Sequence, residues 1–351
     1  MTRHFYQTLA LLFFLTAYCT LYKPVYARQS AGLEIIYQPN AVLSPGGQLR
    51  IGVVATNKRG KVKRTRGYAD GKQKWSNYAV TVYGGRMVGE GLVLIESDPA
   101  QIQGHQVQIH VQSRKDPKLL SHISLPLTYQ AAQAADFSGE QGSDTKSRGG
   151  RVVPLRIFGS GVASGKEGYA GEPGQHADSI HVYVKAEEDS LLAFPVLKVE
   201  VRSSEGDRVE RYLINPDGGS LLILADGGIG GTGGEGGPGT DGRDGIEKNR
   251  DGSDGTDGGH GGDGGRGGDG GHITFHIDPT AEALMTAIDY SNQGGLGGRG
   301  GAGGEGGAGG IGGDGYDNGI SGQWGDPGLE GQPGADGPEP LFITQQVVLD
   351  W

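Results

Sequence analysis

The sequence has little of what usually staples or powers a small exported or catalytic fold. Its one cysteine, Cys19, lies in an N-terminal leader, so disulfide frameworks, thiolate metal sites and cysteine nucleophiles are excluded for the rest of the chain. Aromatic residues make up 7% and methionines number 3, too few to spread one aromatic-rich core over the whole length. Positive charge is in deficit, 31 Lys and Arg against 41 Asp and Glu for a net −10, which disfavours nucleic acid as a partner of the whole chain. The apolar run from Leu9 to Ala17 is shorter than the roughly 20 residues that span a bilayer. No GXSXG, HEXXH or P-loop string is present, which removes the strongest enzyme signals.

What the chain does have is glycine: 70 of 351 residues, 45 of them between Gly227 and Gly337. A bias this local marks a segment and leaves near-normal composition elsewhere. Ahead of it, Arg3 and His4, the apolar core and the small-residue end Val25-Tyr26-Ala27 read as a secretory signal peptide over 1–27. The expectation is an exported protein, periplasmic, cell-surface or extracellular. Tyr18 stands before Cys19 where a lipid-attachment signal needs a small residue. Without the leader the chain carries 29 bases and 41 acids and no cysteine.

Residues 28–130 contain short alternating runs, LEIIY, QLRIGVVAT, YAVTVYG, LVLIE, QVQIHVQ and ISLPLTY, separated by SPGG, KRGK and ESDP. This spacing predicts a β-sandwich. The stretch KWSNYAVTVYGG, with GLVLIESDP and PLTY after it, resembles bacterial immunoglobulin-like domains. That resemblance implies a Trp between two sheets, a part for Trp75. Residues 131–150, small and polar, are expected to be a linker. Over 151–351 strand-like runs resume as VVPLRIF, SIHVYVK, VLKVEVRS, VERYLI and SLLILA, and then HITFHI, TAIDY and LFITQQVVL flank the glycine runs. The expected class is therefore all-β, an immunoglobulin-like sandwich followed by a second β-sandwich that carries the glycine-rich part.

Glycine recurs at every third position over 227–245, 252–271, 294–315 and 319–337. A flexible linker needs glycine content and not glycine phase. A period of three is that of the polyproline II helix, whose backbone groups are unpaired within the strand. They are satisfied either in a collagen triple helix or by antiparallel polyglycine II helices packed side by side. Collagen needs frequent proline; the first three runs contain one, Pro238, and only the fourth has several, Pro327, Pro333 and Pro338. An intramolecular bundle in a monomer is the expectation, with a collagen-like trimer as the alternative. Its structural glycines would include Gly227, Gly230, Gly233, Gly258, Gly261, Gly264, Gly297, Gly300, Gly303 and Gly306.

Triplets read GGX to Gly237, GXX to Gly245, GXX again from Gly252 and GGX from Gly258. This mirror symmetry predicts a pair enclosed near the β-domain and exposed at its tip. The third run, GGX nearly throughout, is expected to be the most enclosed and the fourth to lie at an edge; Gly165, Gly168, Gly171 and Gly174 form a short fifth. The GGXGG repeat with flanking strands resembles the glycine-rich region of anaplastic lymphoma kinase and leukocyte tyrosine kinase, and is similar in principle to the snow-flea antifreeze protein and to phage tail adhesins. The resemblance implies the architecture; it does not carry over those functions.

Candidate chemistry is sparse. His272 and His276 sit four apart on one strand, about 13 Å, too far to share a metal. Asp251, Asp254 and Asp257 invite a calcium reading, but the twelfth position of an EF-hand loop falls on Gly262; they are read as a solvated face, with Arg266 between Asp263 and Asp269 as a charge ladder. No metal or cofactor is expected. Charge segregates: 14 bases and 6 acids over 28–130, against 15 and 35 over 131–351. Six bases, Lys58, Arg59, Lys61, Lys63, Arg64 and Arg66, crowd KRGKVKRTR, a patch suited to an anionic envelope polysaccharide or lipid headgroup. The expected function is a non-enzymatic structural or adhesive protein of the envelope or surface, its bundle a rigid spacer. The competing reading is a subunit of a surface or secretion assembly that binds another envelope protein. The C-terminal LFITQQVVLDW resembles an outer-membrane barrel signal, but a single strand makes no barrel, and a sheet-closing strand is expected.

Overall fold

The computed structural model describes residues 30–145, 164–188, 191–192, 194–206, 208–245 and 250–351. The leader, the run VVPLRIF and the loop IEKN fall outside the described residues. Among those described, regular structure is almost wholly strand, sixteen in four sheets, with only short 3-10 turns. Among the described residues no helix is long and apolar enough to cross a membrane. The chain forms two compact units, the first running through Ser97 with Gln101–Leu127, the second comprising Asp98–Ala100 and Thr128–Trp351.

The first unit has two antiparallel sheets. In one, β2 (Gln48–Asn57) pairs with β1 (Ser30–Tyr37), β3 (Val62–Arg64) and β6 (Leu92–Ile95), and β6 pairs with β5 (Gly85–Val88). In the other, β7 (Gln106–Ser113) lies between β4 (Tyr78–Tyr83) and β8 (Leu120–Pro126). Period-two alternation buries Leu49, Ile51, Val53, Val107, Ile109 and Val111. Trp75 is buried in a 3-10 turn, Trp75–Asn77, its Nε1 donating to the Arg66 carbonyl at 3.0 Å. Gly91 at φ +84° leaves it room, since a Cβ there would stand 2.6 Å from the indole.

The second unit is organised by parallel strands. β10 (Ile180–Glu187), β14 (Ile273–Ile277) and β16 (Leu341–Thr344) lie side by side and parallel; β11 (Val196–Ser203) and β12 (Val209–Ile214) extend that sheet antiparallel. A second sheet, all parallel, places β13 (Ser220–Leu224) between β9 (Ala132–Asp136) and β15 (Ile288–Ser291). One apolar core joins them, from Ala135 and Phe137 through Val182, Val199, Leu221 and Ile223 to Phe275.

The expected linker is corrected here. Ala132–Asp136 is a strand, Ala135 and Phe137 are fully buried, and Gly139 and Gly142 donate to the carbonyls of Asp226 and Ile229. Small residues suit the strand because β9 needs only backbone pairing and one inward methyl. The C-terminal strand β16 extends the β10–β14 sheet at β14, and Lys198 Nζ holds the Trp351 carbonyl at 2.9 Å.

Parallel strands need long crossovers, and here the crossovers are the glycine runs. Each strand of the β9–β13–β15 sheet leads into an outgoing run: run one (139–145), run three (227–245) and run five (294–313). Each of β10, β14 and β16 receives an incoming one: run two (165–177), run four (252–271) and run six (317–337). Strand order therefore sets run order. Backbone bonds link runs one, three and five to their neighbours in that row, and two, four and six in the other. Across the rows, run four donates to run three, and run five donates back to run four. Runs three and four thus touch four others each.

Candidate functional site

Three arrangements could carry function: the lattice of glycine runs, a cationic cleft in the first unit, and a histidine pair in the second.

In the lattice, glycine N–H groups of runs three, four and six donate at 2.7–2.9 Å to carbonyls of neighbouring runs. Their role is spatial. Positive φ is not required, for among described glycines beyond Gly218 only Gly315, at the turn, has it. A Cβ on any of the ten glycines Gly227, Gly230, Gly233, Gly258, Gly261, Gly264, Gly297, Gly300, Gly303 and Gly306 would stand 1.8–2.1 Å from a neighbouring carbonyl oxygen, a distance that no packing adjustment short of backbone movement relieves.

The switch between GGX and GXX follows the neighbours. Gly228, Gly231, Gly234 and Gly237 donate to run two, the last to Lys166. Beyond it the same position holds Thr240 and Arg243, and in run four Ser253 and Thr256 precede Gly259, whose Cβ would meet the Lys166 carbonyl at 2.0 Å. The second glycine is present where run two flanks the pair and absent past it. The expectation for 294–315, read from the sequence as the third and most enclosed run and numbered five in the fold, is corrected: its second glycines are buried, but the line Gly297, Gly300, Gly303 and Gly306 is only half-buried, because no described run follows run five in its row.

The aspartates read as a solvated face act as acceptors. Asp251, Asp254, Asp257 and Asp263 each accept from the backbone N–H of the residue 66 positions on, Asp317, Ile320, Gln323 and Leu329, at 2.6–3.0 Å, as does Asp269 from Ala335. His260 Nδ1 does the same for Asp326. Asp241 and Asp244 serve run five likewise. Arg266, which cannot accept, reaches Asp269 at 2.8 Å. The Ala335 N–H first, then Arg266 and His176, hold the Asp269 carboxyl below the ordinary range, and the Thr232 N–H does so for Asp144. The pairing of run four with six, and of run three with five, reveals this role.

The cleft lies beside β3. Asn57 Oδ1 accepts from Arg59 and Lys61 N–H at 3.0 and 2.9 Å, fixing the turn that carries Lys58, Arg59 and Lys61. Lys63 and Arg64 line a cleft of about 740 Å³. Arg66 faces Glu90 at 3.9 Å and is not among the lining residues. Lys72, Lys74 and Lys115, which the sequence patch does not include, complete a lining whose one acid is Asp70. Gly71 makes the approach possible: it donates to Thr65 at 2.8 Å, and a Cβ there would stand 1.9 Å from the Arg64 carbonyl. The lysines of ADGKQKW were legible as charge; their meeting with Lys63 across the Thr65–Gln73 bridge was not. No family model, curated protein or solved structure matches this chain. The geometry alone therefore carries the functional argument.

Among the described residues no three His, Cys, Asp or Glu side chains converge to hold a metal. His272 and His276 remain apart, but the parallel pairing of β10 and β14 sets His181 Nδ1 3.1 Å from His276 Nε2. Burial first, and then His181, push the His276 imidazole below its ordinary value. Gln345 stands 3.0 Å from its other nitrogen and Tyr183 stacks on its ring, which ties the site to sheet packing.

Proposed function

We propose that the chain is an exported, non-enzymatic structural or adhesive protein of the cell envelope or surface. In this reading residues 28–130 form an immunoglobulin-like sandwich that binds an anionic polysaccharide, and the glycine runs form a bundle of polyglycine II helices that acts as a rigid spacer. The observation that carries the binding part is the cleft with five bases, Lys63, Arg64, Lys72, Lys74 and Lys115, against one acid. Such a surface concentrates polyanions, and its attraction fades as salt shortens the Debye length. The spacer part rests on the three-residue period, the lateral bonding and the absence of room for a Cβ at the packed glycines. A run of 19 residues such as 227–245 would span about 60 Å. The glycine N–H groups of runs three, four and six already find acceptors on neighbouring runs of the same chain, which supports a monomer over a collagen-like trimer.

The test is retention of the full chain on immobilised heparin and on alginate over a salt gradient. Retention that weakens steeply with salt and vanishes when the five lining bases become Ala supports the reading. Retention that persists in that variant, or that vanishes instead when only Lys58, Arg59 and Lys61 become Ala, would sink the cleft as the site.

A second reading, a protein-binding subunit of a surface assembly, is favoured by large apolar side chains left exposed on the runs: Leu296, Ile320, Trp324 and Leu329 are each 68–75% exposed. Isolated residues of this kind are ordinary on surfaces; grouped along a rod they point to a partner.

A further inference from the structure

The row that contains runs three and five stops at run five, and its outer edge is unfinished. In run three the first glycine of every triplet, Gly227 through Gly245, donates its N–H to run five; in run four Gly252 through Gly270 donate to run six. The matching donors of run five are Gly294, Gly297, Gly300, Gly303, Gly306, Gly309 and Gly312. Three are capped by side chains of run six: Asp336 on Gly294 at 2.9 Å, Ser321 on Gly309 at 3.1 Å and Asn318 on Gly312 at 2.8 Å. In the same antiparallel register the residues opposite Gly306, Gly303, Gly300 and Gly297 are Trp324, Pro327, Glu330 and Pro333. Those four N–H groups have no acceptor among the described residues, and the four glycines are half-buried rather than covered.

The edge is thus closed at both ends and open over four consecutive donors, Gly297 to Gly306, about 28 Å of a three-per-turn chain. Donors there repeat at the spacing with which run three grips run five. Beside them lie two prolines and Trp324, 68% exposed. Prolines at 327 and 333 offer no N–H of their own, so run six does not extend outward at those points. An aromatic ring beside regularly spaced polar groups is the means by which extended polyproline II segments are captured.

We infer that this edge is a docking groove for an extended three-residue-per-turn peptide, glycine- or proline-rich, supplied by another protein. The peptide adds to the lattice as run five adds to run three. Every third carbonyl accepts from Gly297, Gly300, Gly303 and Gly306, and its flank packs on Trp324. The inference rests on the packed-bundle reading and is independent of the cationic cleft.

The test uses the full chain with two synthetic 12-residue probes, one of Gly-Gly-Ala triplets and one of polyproline, and reads Trp fluorescence together with amide exchange. Saturable binding that slows exchange at Gly297–Gly306 is expected, with at least ten-fold weaker binding for Trp324→Ala. The deciding variant is Pro327→Asp with Pro333→Asp, which supplies side-chain caps of the Asp336 kind to Gly303 and Gly297. It should keep wild-type melting and lose binding. Absence of binding to either probe, or equal binding by the capped variant, overturns the groove. Dimerisation of the free protein that the capped variant abolishes also overturns it, by making a second copy the occupant. Exchange at interior amides such as Gly230 and Gly262 separates the two layers of argument: fast exchange there removes the bundle and the groove together, whereas protection there without binding removes the groove alone.

Discussion

The Asp257 carboxylate accepts a hydrogen bond from the backbone N–H of Gln323 at 2.7 Å, and the same step of 66 residues joins Asp254 to Ile320 and Asp263 to Leu329. Five triplets of run four place an aspartate, and a sixth His260, against an N–H of run six that no carbonyl meets, and the side chain supplies the missing acceptor. Replacing Asp254, Asp257 and Asp263 together by Ala should destabilise the second unit by roughly 0.5–1 kcal/mol per site. Asn, whose Oδ1 can still accept, should restore most of the loss. Thermal melting of both triple variants checks this; equal loss for Asn and Ala would show that charge and not the acceptor matters.

Acid should weaken the second unit in two stages. His276 is held below its ordinary value by burial and by His181, so the fold takes up that proton at lower pH than the unfolded chain, which protonates near pH 6.5. Stability therefore falls as pH drops through that value. The Asp278 carboxyl, bound by the N–H of Val347 and by Thr280, and the Asp144 and Asp269 carboxyls lie below the ordinary range. Their contribution is complete above the unfolded value near 4 and is lost as pH falls through the lower folded values. Melting temperatures between pH 8 and pH 3 should show both limbs, and His276→Gln should abolish the upper one alone.

Neighbouring positions on run five should differ sharply. Gly304 donates to Gly259 at 2.8 Å, and its Cβ would stand 2.0 Å from the Gly237 carbonyl oxygen; Ala302 is exposed. Gly304→Val should cost more than about 4 kcal/mol or prevent folding of the second unit, while Ala302→Val should stay within about 0.5 kcal/mol. Chemical denaturation of the two variants measures the difference.

Much of this was legible because glycine phase is a local signal. The period of three, the grouping into runs and the position of run six at an edge follow from spacing alone. What each run touches does not, because bonding partners are set by strand order in the two parallel sheets. The β9 strand escaped notice since AAQAAD lacks large apolar residues, and run one since it has only Gly139 and Gly142. The aspartate ladder was visible as spacing, but its acceptor role depends on a register 66 residues long. Lys63 and Arg64 were found within a basic run; Lys72, Lys74 and Lys115 join them only once Gly71 lets the chain close on Arg64.

Register also predicts how the bundle should respond to changes in length. Run four meets run three in one continuous antiparallel phase, from Gly268 on Gly228 to Gly259 on Gly237, and it carries on to Ser253 on Arg243. Deleting Thr232 alone would move every later residue of run three by one place and bring Thr240 and Arg243 to the places of Gly239 and Gly242, where a Cβ would stand 1.9–2.0 Å from a carbonyl oxygen of run four. No neighbour can follow, since each run is pinned by its own strand. Deleting the distal triplet Gly242-Arg243-Asp244 keeps the phase and removes the bonds from Gly242 to Ala308, from Ser253 to Arg243, from Arg243 to Ser253 Oγ and from Ile311 to Asp244. The single-residue deletion should therefore abolish cooperative melting of the second unit, and the three-residue deletion should lower its midpoint by only a few degrees. Comparable losses for the two would mean that the runs are held by composition and not by register.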